Sequence, residues 1–240
     1  MKMSKSLDFL YNPIVMCGRY TLTATKAKIA EEFGIRQEAM KEFQPSYNIA
    51  PSQFVPAVFQ QGAEQKFDMF RWGYIPPWSR PDILLNGLIN ARKESIVEKI
   101  SFKDSFQYRR CLIPSSGFYE WKVEGKRKIP YYICLKNHSV FSFAGLYSKW
   151  VSPDGHEMLT CAIITGEPND LIQPIHQRMP IILPKDARNR WLDPVGYSKE
   201  TLLKLLTPYS ADEMEAYPVS RFVNSPENNT AECIRPASIS

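Results

Sequence analysis

The sequence predicts a strand-rich fold connected largely by loops, with only a few short helices. Three observations predict it. Aromatic residues make up 12% of the 240 residues, with five tryptophans, and 19 prolines punctuate the chain. Runs that alternate apolar and polar residues recur with turn residues between them. Helical periods are few and short. A hydrophobic content of 44% against 23% charged supplies a full core for one domain, or at most two small ones.

Taken in order, residues 1–15 carry early lysines, an Asp8 that interrupts a short apolar run, and Pro13. They are too short and polar to span a membrane and lack the apolar stretch of a signal peptide. Arg19–Leu22 alternates as a first strand. Thr23 or Thr25 caps a helix over about Lys26–Phe33, and Gly34 stops it. Ser46–Pro51 reads as an extended loop. Phe54–Gln60 and Lys66–Arg71 form an antiparallel pair turning at Gly62, and Arg71–Trp78 follows as a rigid aromatic loop. Asn90–Glu94 is expected to enter a helix. Cys111–Pro114, Phe118–Trp121, Pro130–Leu135, Val140–Leu146 and Met158–Thr165 read as strands, with a turn at Asp154-Gly155. Pro168–Ile175 is a short helix or turn, Asp186–Leu192 and Ser198–Leu206 are amphipathic helices, Met214–Val219 is a last strand, and 224–240 is a mostly polar tail.

Thirty Lys and Arg against 25 Asp and Glu leave a formal charge of +5, compatible with a nucleic-acid partner without requiring one. The five cysteines (17, 111, 134, 161, 233) form no C-x-x-C pair and no ligand pattern with His138, His156 or His176. An odd, dispersed set with no secretory signal points to reduced thiols in a cytosolic protein and to no metal site.

Met16-Cys17-Gly18-Arg19-Tyr20 is unusual for a strand start. Loss of a methionine before Cys17 leaves a free amine beside a thiol, and a 1,2-aminothiol closes a thiazolidine ring on an aldehyde. The plainer alternative is a cysteine packed as a small hydrophobe. Glu120, among aromatics in Gly-Phe-Tyr-Glu-Trp, faces either solvent or a cleft; burial there raises a carboxyl pKa toward the proton-transfer range. His176 sits on a loop, where function concentrates, and imidazole titrates near neutrality. Asn90 and Arg92 share a face if they lie on a strand, although Asn90 also suits a helix N-cap. Arg92 and Arg178 match phosphate oxygens, or else are solvated surface charges. Trp72 and Trp78 either anchor the core or stack bases, with Trp72 leaning to the core and Trp78 to the surface.

Seven blocks in order resemble the SRAP family, the SOS response-associated peptidase-like proteins that shield abasic sites in single-stranded DNA. They are Met16–Tyr20, Pro45–Pro51, Arg71–Pro76, Asn90–Glu94, Arg110–Pro114, Gly117–Trp121 and Ile175–Pro180, within a match from Cys17 to about Pro218. The resemblance implies an α+β fold with antiparallel strands curled into a barrel-like core and peripheral helices. It divides the chain into a leader or mis-started segment (1–16), one SRAP domain (17–222) and a C-terminal tail (223–240). It implies that Cys17 cross-links covalently to the aldehyde of an abasic site, with weak lyase activity beside that. Cys17, Asn90, Glu120 and His176 match the family's catalytic positions, and Arg19, Trp72, Arg92 and Arg178 fall at or near its DNA-holding ones. No cofactor, metal or membrane is implied, and the expected state is a monomer in the cytoplasm acting on single-stranded DNA that contains abasic sites. Fifteen residues and Met16 stand before Cys17, so this chemistry requires initiation at Met16 or cleavage after it. Two other activities use the same residues: an autocatalytic or N-terminal-nucleophile cysteine peptidase, and a non-covalent reader of modified or single-stranded DNA.

Overall fold

The structure, a computed structural model, describes residues 18–80 and 87–237. The first strand, β1 (Tyr20–Leu22), leads into α1 (Lys26–Phe33), and both ends of that helix follow the expected chemistry. The Thr25 hydroxyl accepts the Lys28 N–H at 3.3 Å, satisfying one orphan donor of the first turn. Gly34 ends the helix with φ 64°, a left-handed value that a Cβ would oppose. Ser46–Pro51, expected to be an extended loop, instead starts with a strand, β2 (Ser46–Ile49), which takes the open edge of β1.

The alternating runs form β3 (Phe54–Gln61) and β4 (Glu64–Trp72), turning at Gly62. After these come β5 (Asn90–Arg92), α2 (Lys103–Tyr108), β6 (Arg110–Ser115), β7 (Gly117–Glu124) and β8 (Arg127–Leu135). Two long strands, β9 (Phe141–Val151) and β10 (Glu157–Gly166), make the central hairpin. Short β11 (Met179–Pro180) and β12 (Ile182–Leu183), α3 (Lys185–Leu192), α4 (Lys199–Leu203) and β13 (Met214–Pro218) complete the order.

Strands β4, β3, β6, β9 and β10 close into a barrel, because β10 pairs with β4 as well as with β9. The closing seam is parallel, with Thr160 opposite Arg71 and Cys161 opposite Trp72, whereas the other four pairings are antiparallel as expected. That seam also explains the main local departure from expectation. Where β4 ends, the edge of β10 still carries backbone donors and acceptors that need partners. Residues Asn90–Arg92 supply them, with Asn90 opposite Ile163 and Arg92 opposite Thr165. The expected helix entry is therefore a strand that continues the line of β4.

A second sheet, in the order β13-β8-β7-β1-β2, lies against the barrel. Tyr20 packs edge-on against Trp72 and Phe143, with centroids 5.3 and 5.7 Å apart, and Phe118 meets Phe143 at 6.0 Å. The opposite face of this sheet carries Tyr119, Tyr132 and Cys134, which pack with Val219, Val223 and Cys233. Residues 223–237, expected to be a polar tail, thus cover the sheet. Val219 bridges to Pro236, and short helical turns at Arg221–Asn224 and Ala231–Ile234 bury Val223 and Cys233.

Cysteines 111, 134, 161 and 233 are buried thiols without disulfides. Their spacing suggested no ligand cluster, yet folding brings Cys134 beside His138 and Glu215. Among the described residues, no helix is long and apolar enough to cross a membrane.

Candidate functional site

Cys17 lies outside the described residues, and the site is built here from the groups around the point where the chain enters β1. The Arg19 carbonyl accepts the Tyr119 N–H at 3.0 Å, so the chain begins β1 alongside the residue that precedes Glu120. Side chains alternate across a strand. Tyr119 faces the C-terminal segment, so Glu120 shares the barrel-facing side with Phe118. Glu120 is only 2% exposed. A strand carboxylate held in that position is not the solvated residue of the plainer reading.

On the barrel, Asn90 is half-buried and Arg92 exposed, two residues apart on β5. The fold links them to β1 through Trp72. Its indole Nε1–H donates to the Ile89 carbonyl at 3.0 Å, and its ring packs against Tyr20. Trp72 is fully buried, at 0% exposure. Its polar edge and its ring are both committed to joining β4, β5 and β1, in keeping with the core reading of this tryptophan. The exposed indole is Trp78, at 63%. Its turn is fixed by Ser79, whose N–H donates to Pro76 and whose carbonyl accepts the Trp150 indole N–H at 2.9 Å.

His176 follows a turn rather than a helix. The Asn169 side chain accepts the Ile172 N–H at 3.0 Å and donates to the Tyr209 carbonyl at 2.7 Å, while Ile172 is buried in the core. The Arg178 backbone N–H donates to His176 Nδ1 at 3.1 Å. The same Nδ1 lies 3.2 Å from the Arg178 carbonyl, so the Arg178 backbone can serve the ring with Nδ1 bare or protonated. The Arg178 guanidinium forks onto Glu94 at 2.6 and 3.0 Å and reaches the Thr165 carbonyl at 2.7 Å. Thr165 is in turn paired with Arg92 and with Pro180. Asn90, Arg92, His176 and Arg178 are thereby gathered on one edge of the barrel. Sequence reading missed Glu94 and Thr165, which hold that edge; the Asn-Ala-Arg-Lys-Glu spacing contained Glu94 but gave no sign of its partner.

Arg19 and Arg178 both have prior occupations. Arg19 donates to Asn48 Oδ1 at 2.8 Å and to the carbonyls of Val223 and Asn224 at 2.9 and 3.0 Å, and burial lowers its pKa. It fastens the C-terminal segment to the mouth of β1. A phosphate at Arg178 has to share the fork with Glu94. Arg92 is the more exposed charge.

Burial holds the His176 pKa below its ordinary value of 6.5, only partly opposed by the backbone contact with Arg178. The unfolded chain thus takes up this proton more readily than the folded one, and the group's contribution to stability is present above about 6.5 and lost as the pH falls through that value toward the folded pKa. The urea midpoint of the native chain should fall more steeply between pH 7 and pH 5 than that of His176→Gln. Parallel curves for the two proteins would show that the imidazole is not titrating in this buried environment.

The family model described as SOS response associated peptidase (SRAP) matches residues 16–226. This chain belongs to the SOS response associated peptidase family. It is 48% identical over 221 residues to Abasic site processing protein YoaM of Bacillus subtilis, covering 91% of this chain and 97% of that protein. It is 32% identical over 264 residues to Abasic site processing protein HMCES of Gallus gallus, covering 92% of this chain and 78% of that one. A solved structure of a protein from Bacteroides thetaiotaomicron superposes with a TM-score of 0.82 at 32% identity, covering 92% of this chain and all of that one (100%). The barrel with its facing sheet is thus the SRAP fold, α+β as expected.

Proposed function

We propose that this chain captures abasic sites in single-stranded DNA as a thiazolidine formed by Cys17. One observation carries the reading: a carboxylate, Glu120, is buried on the barrel-facing side of β7 next to β1, the strand that begins three residues after Cys17. The relatives named as abasic site processing proteins support the same substrate, and the family match starts at Met16, the residue before Cys17.

With Met16 absent, the α-amine of Cys17, with a reference pKa of about 7.7–8.0, is partly unprotonated at neutrality. It adds to the C1′ aldehyde of the ring-opened sugar, and loss of one water gives an imine. The thiol sulfur then bonds to the imine carbon, and the nitrogen takes the proton. Glu120 accepts the amine proton released in the first addition. His176 donates a proton toward the departing oxygen, and Asn90 orients the amine or sugar. The imine also acidifies C2′, so slow strand cleavage by β-elimination accompanies capture. Arg92, with Arg19 and Arg178 at the rim, attracts the backbone without regard to sequence, and binding weakens with salt.

The test uses a uracil-containing single strand treated with a glycosylase. Protein beginning at Cys17 should give a protein–DNA species that survives heat and detergent, and protein retaining residues 1–16 should give none, because its Cys17 nitrogen is an amide. Equal yields from the two forms would sink the proposal. The family's peptidase name favours a second reading in which the same groups cut after Met16. Intact mass of fresh and aged full-length protein, with and without Glu120→Gln, separates self-cleavage from methionine loss.

A further inference from the structure

We infer that Cys134, His138 and Glu215 form a binding site for one divalent ion of the zinc class, on the face of the five-stranded sheet opposite Glu120. Strand register places Cys134 directly across from Glu215 on the β8–β13 pair. The turn after β8 does the rest. The His138 N–H donates to the Leu135 carbonyl at 2.8 Å, and His138 takes φ 51°, a left-handed conformation uncommon outside glycine, which folds the imidazole back over Cys134.

The separations come within a turn of the imidazole of those around a tetrahedral ion. Zinc bonds of about 2.3 Å to sulfur and about 2.0 Å to oxygen or nitrogen put S···O and S···N near 3.5 Å and N···O near 3.3 Å. Here Cys134 Sγ lies 3.4 Å from Glu215 Oε1, and His138 reaches the pair through one nitrogen or the other, Nδ1 at 3.8 Å from the sulfur or Nε2 at 3.6 Å from Oε1. One atom from each of the three residues can be chosen so that all lie within 4.8 Å of one another. The His138 side chain is 71% exposed, so the ring can turn to offer one nitrogen, and water can reach the fourth position. A thiol, an imidazole and a carboxylate together favour a borderline-soft ion over calcium or magnesium.

Without metal, the thiol donates to Glu215, and burial together with that carboxylate pushes its pKa up to about 12. Metal binding therefore replaces the S–H bond with a metal–sulfur bond and releases one proton to solvent. The ion would cross-link β8 to β13, the strand that leads into the segment covering the sheet.

The experiment is titration with cobalt(II), a spectroscopic stand-in for zinc, of the full chain carrying Cys17→Ala so that no terminal aminothiol competes. The expected result is a thiolate-to-cobalt absorption with the visible bands of a four-coordinate ion, saturating at one equivalent and displaced by zinc. Cys134→Ser should abolish it. Because Cys134 is buried, His138→Asn provides a second variant: asparagine tolerates the left-handed turn, and cobalt affinity should fall at least tenfold. Zinc should also raise the melting temperature of the parent but not of His138→Asn. Absence of the absorption in the parent, or its persistence at unchanged affinity in His138→Asn, would overturn the site.

Discussion

Cys17→Ala, introduced into protein that begins at residue 17, should abolish the heat-stable DNA adduct while leaving an imine that borohydride can trap. The variant retains the α-amine and so still condenses with the C1′ aldehyde with loss of water. It lacks the sulfur that would close the ring, so the imine partitions between hydrolysis and β-elimination. Stable adduct should fall by at least 100-fold, and strand cleavage at the abasic site should rise because nothing diverts the imine. Reversible affinity for an intact single strand should change less than twofold, since the charges at the rim are untouched. A gel that resolves intact strand, cleaved strand and adduct measures all three. Undiminished stable adduct in Cys17→Ala would remove the sulfur from the mechanism and with it the thiazolidine.

The two tryptophans should separate stability from DNA contact. Trp72→Ala removes a fully buried indole that joins β4 to the Ile89 carbonyl and to Tyr20, so both a cavity and an unmade hydrogen bond result. The expected cost is about 3–5 kcal/mol, which for a chain of this size lowers the melting temperature by about 10 °C or more. Trp78→Ala, at a turn where the ring is already exposed, should leave the melting temperature within about 2 °C. Its affinity for single-stranded DNA should drop about tenfold, the loss expected when one base no longer stacks on an aromatic ring. Weaker DNA binding by a folded Trp72→Ala protein, with no change for Trp78→Ala, would reverse the assignment.

Legibility followed the range of each interaction. The helix at 26–33 was readable to both ends because its caps, Thr25 and Gly34, lie within the same ten residues. The β3–β4 and β9–β10 hairpins were readable for the same reason, each turn being adjacent to the strands it joins. Asn90–Glu94 was misread because its local composition suits a helix start, and the deciding partner, the open edge of β10, lies more than 70 residues away. The 223–237 segment looked like a polar tail because the few apolar residues it carries, Val223 and Cys233 among them, have their partners on β7 and β8. For the candidate site, the residue types were legible but their engagements were not. The Arg178 guanidinium is legible as an anion binder, but nothing along the chain shows that Glu94 and Thr165 already share its fork. The Cys134-to-His138 spacing was present in the chain, but its third member, Glu215, arrives only through strand pairing.

By itself, the sequence determined the family and the order of its blocks, the local turns and caps, and the pairing of an amine with a thiol that would exist if Cys17 were terminal. Only the tertiary structure decided that Glu120 is buried beside the start of β1, that Trp72 is a core strut and that Arg19 secures the C-terminal segment. The reason is physical. Caps, turns and residue chemistry depend on neighbours along the chain, whereas burial and the occupation of a guanidinium depend on which distant strand comes to lie alongside.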